Sequence, residues 1–199
     1  MAGSPAEHAS EAMEYPPGYS ELFVQRLNEI NNNLNYAWLA FVAIRDEEVG
    51  ALISRRPPII VDDILGIPCN EHLAYARSEP NTADRFVWFV MRGALITLYE
   101  AFKEDNTRFK GVENQDWFLL LASLRHSLSH GIEGKWRRIF CNDGDRLRFT
   151  RRCDGKEFVL SKDLIGQGID ISTFGSLPTA MDLFPTAIEF AKNVLPRTM

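Results

Sequence analysis

The residues best equipped for chemistry lie between Leu121 and Gly131, where the chain reads LASLRHSLSHG. Two of the four histidines, His126 and His130, stand here beside Arg125 and the serines Ser127 and Ser129. An imidazole titrates near neutral pH, with a reference pKa of about 6.5, and so can both take and give a proton. A guanidinium offers a fixed fork of donors that matches the oxygens of a phosphate. Imidazole, guanidinium and hydroxyl together can hold an oxyanion and move protons around it.

A helix must position these groups. Apolar residues recur at helical spacing at Trp117, Leu121, Leu124, Leu128 and Ile132. At about 100° per residue they form one stripe that faces a core. His126 and His130 form an i,i+4 pair nearly opposite the stripe, with Arg125 and Ser129 on the flank. Asn114 is a suitable N-cap, Asp116 suits the first turn, and Gly131 suits the left-handed position after the last turn. His130 then falls in the last turn, where a histidine can simply face the negative end of the helix dipole. For an isolated Arg/His pair, a solvated face would be the better account.

Arginine, a polar residue, three more residues and then His-Gly, on a helix after an apolar run, resembles the R-x(4–6)-H motif of the HEPN superfamily (higher eukaryotes and prokaryotes nucleotide-binding). The resemblance covers mainly Phe23 to Ile132. It implies a small helical bundle, a homodimer, and metal-independent cleavage of RNA, in a toxin or phage-defence role, with an antitoxin or regulatory protein as partner. RNA supplies its own nucleophile, the 2′-hydroxyl, so cleavage needs a base, an acid and positive charge for the developing phosphorane. By resemblance Arg125 takes the phosphate, His130 transfers the proton, and His126 stands at the family's polar position, where it positions substrate or shares proton transfer; Ser129 is a weaker substrate contact. Arg125 and His130 are separated by about 140° on a regular helix, so a two-fold partner would bring a second Arg/His set near the first. Some family members carry a tyrosine two residues after the histidine, the target of a partner nucleotidyltransferase; here that position is Ile132, which puts control by that route in doubt.

Composition bounds the rest. A chain of 199 residues with 45% apolar and 25% charged content suits a soluble globule with one real core. A net charge of −5 does not mark a nucleic-acid binder. Cys69, Cys141 and Cys153 offer neither a disulfide framework nor a metal-ligand spacing, which points to the cytoplasm. No metal or cofactor is expected, and no apolar run is long enough to span a membrane.

Read in order, residues 1–18 form a polar, proline-bearing tail and 19–199 a single helical domain with a hairpin appendage at about 146–160. The fold class is therefore mainly α: a HEPN-like helical bundle with a small C-terminal β-hairpin. One long helix is predicted from Ser20 towards Ile53, with a seam at Phe23, Leu27, Ile30, Leu34, Ala37, Phe41 and Ile44. Asn31, Asn32, Asn33 and Asn35 read as a solvated face, with a ligand-facing side as the alternative. The connection from Arg55 to Pro80 lacks a sustained stripe and holds a short helix capped by Asn70, with His72 as a surface loop histidine. A second long helix opens at Asn81 or Thr82 and runs to about Asp105. Its apolar face is so broad, with Phe86, Trp88, Phe89 and Tyr99 widening it, that it reads as buried on most sides. Arg92 and Glu100 on it are pocket candidates, though solvated charges are the plainer account. The last helix is placed at Asp182–Leu195, with Pro185 in its first turn.

Between Lys135 and Lys156 the charge reverses: eight basic residues against Asp143, Asp145 and Asp154 give +5, leaving −10 elsewhere. Strand alternation places Arg146, Arg148 and Arg152 on one face, ahead of the turn signal Asp154-Gly155. A basic face beside the Arg/His helix suits RNA as partner; an exposed hairpin with solubilising charges is nearly as good an account. Two rivals to the nuclease stand beside it. One is a catalytically silent HEPN-like module that binds a nucleotide, RNA or protein. The other is a metal site on His126 and His130, for which no carboxylate or cysteine cluster is evident.

Overall fold

The computed structural model describes residues 17–57, 59–61, 65–67, 69–79, 81–104, 108–129, 134–142, 144–169 and 177–195. The chain folds as a helical bundle with two small antiparallel hairpins. Its elements in order are α1 (Tyr19–Arg45), α2 (Glu47–Ser54), β1 (Ile59–Val61), β2 (Leu65–Ile67), α3 (Cys69–Ser78), α4 (Thr82–Glu104), α5 (Asp116–Leu128), β3 (Arg146–Thr150), β4 (Glu157–Ser161) and α6 (Leu177–Val194).

The seam read from α1 buries Phe23, Leu27, Ile30, Leu34 and Ala37. These residues pack mainly on α4 and α6. Beyond Ala37 the seam no longer faces the core: Phe41 and Ile44 are only half-buried. The single predicted helix also breaks, at Asp46. That residue adopts an extended conformation and its carboxylate accepts the Val49 N–H at 2.9 Å, so it caps a new helix instead of continuing the old one. Aromatic rings fill the centre: Phe102 lies 5.2 Å from Phe23 and 5.1 Å from Trp117, and Trp117 lies 5.5 Å from Phe190. Offset and edge contacts of this kind add about 0.5–1.5 kcal/mol per pair beyond the area they bury.

Three further expectations change. The Arg55–Pro80 connection contains a second hairpin, β1–β2, with Ile60 opposite Gly66. The α3 helix begins at Cys69, so Asn70 lies inside it, and His72 is an exposed helical residue, not a loop residue. The last helix starts at Leu177, ahead of the predicted Asp182, which puts Pro185 in its interior. Pro185 is on the exposed side of α6, so the hydrogen bond its missing N–H forfeits is on the solvent face.

The C-terminal hairpin forms where it was predicted. Arg146 pairs with Ser161, Arg148 with Val159 and Thr150 with Glu157. Leu147, Phe149 and Leu160 are buried and join the helical core, and β3 packs on α5. The hairpin is therefore built into the bundle and braces the motif helix from one side.

Candidate functional site

The α5 helix sits deeper than an amphipathic surface helix would. Trp117, Leu121, Leu124 and Leu128 are buried as the stripe demands, but so are Phe118, Leu120, Ala122, Ser123 and Ser127. The segment after Gly134 accounts for the buried serines. It runs back along α5 and donates two backbone N–H groups to them: Phe140 to Ser123 Oγ at 2.9 Å and Arg137 to Ser127 Oγ at 3.1 Å. Only Leu119, Arg125 and His126, half-buried, and Asp116 and Ser129, exposed, keep contact with the surface.

Gln115, not Asn114, stands at the start of α5. Asn114 is taken up in the preceding 3-10 turn Val112–Asn114, and Gln115 makes no side-chain cap. At the other end α5 stops at Leu128. Ser129 forms the cap, its N–H donating to the Arg125 carbonyl at 3.0 Å. The described helix therefore ends before the position that the spacing gave to His130, and His130, Gly131 and Ile132 lie outside the described residues.

Arg125 is not isolated. Its Nε donates to Glu100 Oε1 on α4 at 2.7 Å, and its guanidinium carbon stands 5.7 Å from the centre of the Tyr99 ring. Both charged side chains remain about a third exposed, at 37% and 35%. The pair is thus an oriented surface ion pair whose remaining donors can meet solvent or an anion. The Tyr99 hydroxyl feels the same pair: burial raises its pKa above the usual 10.0, Arg125 lowers it, and Glu100 raises it, with the net shift upward. Glu100 was legible in the sequence only as a candidate pocket charge; its pairing with Arg125 spans two helices, and no local spacing reports it.

His126 follows Arg125 in the last turn of α5. Its ring meets Phe140 edge to face, with centroids 6.3 Å apart and planes at 90°. Ser129 is exposed and its hydroxyl donates to the His126 carbonyl at 3.4 Å. Arg125, His126 and Ser129 are therefore grouped at one end of α5.

The three hairpin arginines divide. Arg146 and Arg148 are exposed on β3, whereas β3 ends at Thr150 and Arg152 belongs to the turn that follows. Arg152 is tied to α6: its backbone N–H meets the buried Asp182 carboxylate at 2.5 Å, and its side chain reaches Glu189 and the Pro185 carbonyl. Arg148 is paired across the hairpin with Glu157 at 2.8 Å. Much of the positive charge expected to face RNA is thus answered within the fold.

Among the described residues no group of three or more His, Cys, Asp or Glu side chains gathers as a metal site, and Cys141 and Cys153 are free thiols. No described helix is long and apolar enough to cross a membrane. No protein-family model, curated protein or solved structure matches the chain.

Proposed function

We propose that the chain is a metal-independent endoribonuclease of the HEPN type, cytoplasmic, acting as a homodimer, with Arg125 as the phosphate ligand and His130 as the proton-transfer group. The observation that supports this most is the state of Arg125. It stands on the last turn of a helix otherwise packed into the core, with its side chain about a third exposed and held by Glu100 instead of buried. A guanidinium fixed in that way meets a phosphate with little rearrangement. His126 and Ser129 lie alongside, and His130 follows within two residues of the helix end. In this chemistry the 2′-oxygen attacks the adjacent phosphorus as a base takes its proton. The bond to the 5′-oxygen then breaks as an acid returns one, leaving a 2′,3′-cyclic phosphate. A toxin or phage-defence role under an antitoxin or regulatory partner follows from the resemblance alone.

One observation favours the second reading, a silent module that binds a nucleotide, RNA or protein: the Glu100 carboxylate occupies part of the Arg125 fork and must share it with any phosphate. Incubation with mixed RNAs in excess chelator, followed by end-group analysis of the products, separates the two. Cyclic phosphate ends produced by the wild type and lost in His130→Ala support the nuclease. Binding without cleavage supports the module. Cleavage that stops in chelator and returns with a divalent ion overturns the mechanism.

A further inference from the structure

The α4 helix is apolar on more sides than one chain can cover. Its inward face buries Val87, Met91, Ala94, Leu95 and Leu98. The outward face still carries Phe86 and Phe89, which are 43% and 73% exposed, although their apolar character had placed them in a core. On this face Thr82, Phe86, Phe89, Gly93, Ile96 and Glu100 follow one another at spacings of four and three residues. That is the spacing of a helix–helix seam, here about 27 Å long.

The seam is symmetric about position 91. Phe89 and Gly93 are equidistant from it, as are Phe86 and Ile96, and Thr82 and Glu100. Gly93 is an open notch: a Cβ built there meets nothing within 4 Å. It opens on a groove of about 620 Å³ whose walls include Phe89, Arg92, Ile96 and Thr97, with Ile30 and Asn33 from α1. A large exposed ring one turn from a notch, on a palindromic seam, is self-complementary under a two-fold axis.

We propose that this face pairs with a second copy of the chain, α4 against α4 in antiparallel register, with each Phe89 seated in the partner's Gly93 notch. In that register Phe86 meets the partner's Ile96. Arg85, one turn inward from Thr82, comes within reach of the partner's Glu100, so one Arg–Glu pair closes each edge of the seam. Each Glu100 holds Arg125 in its own chain, so the partner's Arg85 adds a second guanidinium beside that site. The interface runs along α4 and not along α5, and it leaves the two Arg125 sites at opposite ends of a seam about 27 Å long, so it does not bring the second Arg/His set near the first as the motif spacing suggests.

Sedimentation across micromolar concentrations tests this without reference to any RNA chemistry, so a failed nuclease leaves the interface standing and a failed interface leaves the nuclease testable. The wild type should sediment as a dimer. Phe89→Glu should weaken it by about a hundredfold or more, as loss of a central aromatic anchor does. Gly93→Gln should also yield monomer by filling the notch, while its melting temperature does not fall, since glycine is a poor residue inside a helix. Arg85→Glu should weaken the dimer, and adding Glu100→Arg should restore it. A wild type that stays monomeric, variants at 89 and 93 that dimerise as the wild type does, or a charge swap that restores nothing would each overturn the proposal. A monomer that instead takes a small molecule or another protein in the groove does so equally.

Discussion

The guanidinium of Arg77 lies against the backbone of Gly50, in space that a β-carbon at position 50 would occupy. From there it donates to two carbonyls at the α1–α2 junction, Ile44 at 2.8 Å and Asp46 at 2.6 Å. A glycine inside a helix ordinarily weakens it; in this fold Gly50 is clearance for an arginine that caps α1. The consequence is a change of sign. In the wild type, Gly50→Ala gains about 0.5–1 kcal/mol of helix propensity but expels Arg77, whose hydrogen bonds to exposed carbonyls contribute about 1 kcal/mol, so the net effect is near zero or destabilising. In an Arg77→Ala background the same substitution should stabilise by the full helical amount. Urea unfolding of the four proteins of the cycle measures this, and equal effects in both backgrounds would show that the contact carries no coupling.

The buried serines of α5 make a second test. Ser123 and Ser127 are 0% and 1% exposed and accept the Phe140 and Arg137 N–H groups. Truncation to alanine strands those donors, at a cost of about 1–3 kcal/mol for each. Ser129→Ala, at an exposed position, should stay within about 0.5 kcal/mol of the wild type. Chemical denaturation of the three variants checks the order.

Tyr99 reports on the Arg125–Glu100 pair through pH. Its pKa is raised above 10.0, so the folded state holds the phenolic proton more tightly than the unfolded chain does. Its contribution to stability is complete below pH 10.0 and is lost as pH rises through the higher folded value. The phenolate absorbance difference between wild type and Tyr99→Phe should therefore titrate above 10.0. Arg125→Ala removes the lowering influence and should move that midpoint further up; Glu100→Gln should move it down.

What the sequence disclosed and what it withheld divide along physical lines. Helical periodicity located α1, α4 and α5, because an apolar stripe is written within a single segment. Alternation with Asp154-Gly155 located the β3–β4 hairpin for the same reason. The break at Asp46 is not legible in the sequence because the α1 seam continues in register through Ile44, and only the extended backbone of Asp46 shows that its carboxylate caps a new helix. The start of α6 lies earlier than the sequence suggests, because a proline suits a first turn, whereas an exposed proline can lie inside a helix when only a solvent-side bond is lost. At the site, Arg125, His126 and Ser129 were legible from spacing. Glu100 as the partner of Arg125, and Glu189 and Asp182 as the partners of Arg152, were not. Periodicity says which face of a helix is polar but not which neighbour meets it.

The hairpin arginines should act unequally on RNA. Arg152 is engaged by Asp182, Glu189 and the Pro185 carbonyl, and Arg148 by Glu157. Arg152→Gln should lower stability slightly, within about 1 kcal/mol for an exposed pair, and barely change RNA binding. Arg146→Gln and Arg148→Gln together should weaken binding and flatten its salt dependence if β3 meets phosphates. Filter binding of a labelled single strand over a salt series separates the two cases; an unchanged slope for the double variant removes the hairpin from the RNA site.

The last prediction concerns the balance between Glu100 and Arg125. With the carboxylate at 2.7 Å, the guanidinium is oriented but partly neutralised. Glu100→Gln keeps a side chain of the same shape and leaves the positive charge unopposed, so RNA should bind more tightly, with the salt slope steeper by up to about 0.7, the value of one additional phosphate on a single strand. Arg125→Ala should do the reverse, and under the nuclease reading should also slow cleavage by about 10²–10³-fold, as loss of a transition-state anion ligand does. His130→Ala should leave the salt slope unchanged and slow cleavage by about 10²–10⁴-fold, since it removes proton transfer and no phosphate contact. His126→Ala should be milder if it only positions substrate. The variants at Arg125, Glu100 and His126 should not unfold the protein, because all three side chains are partly exposed, and a melting curve on each checks it. Full cleavage by both Arg125→Ala and His130→Ala would end the proposed mechanism, and RNA affinity indifferent to both Glu100→Gln and Arg125→Ala would remove the ion pair from any RNA site.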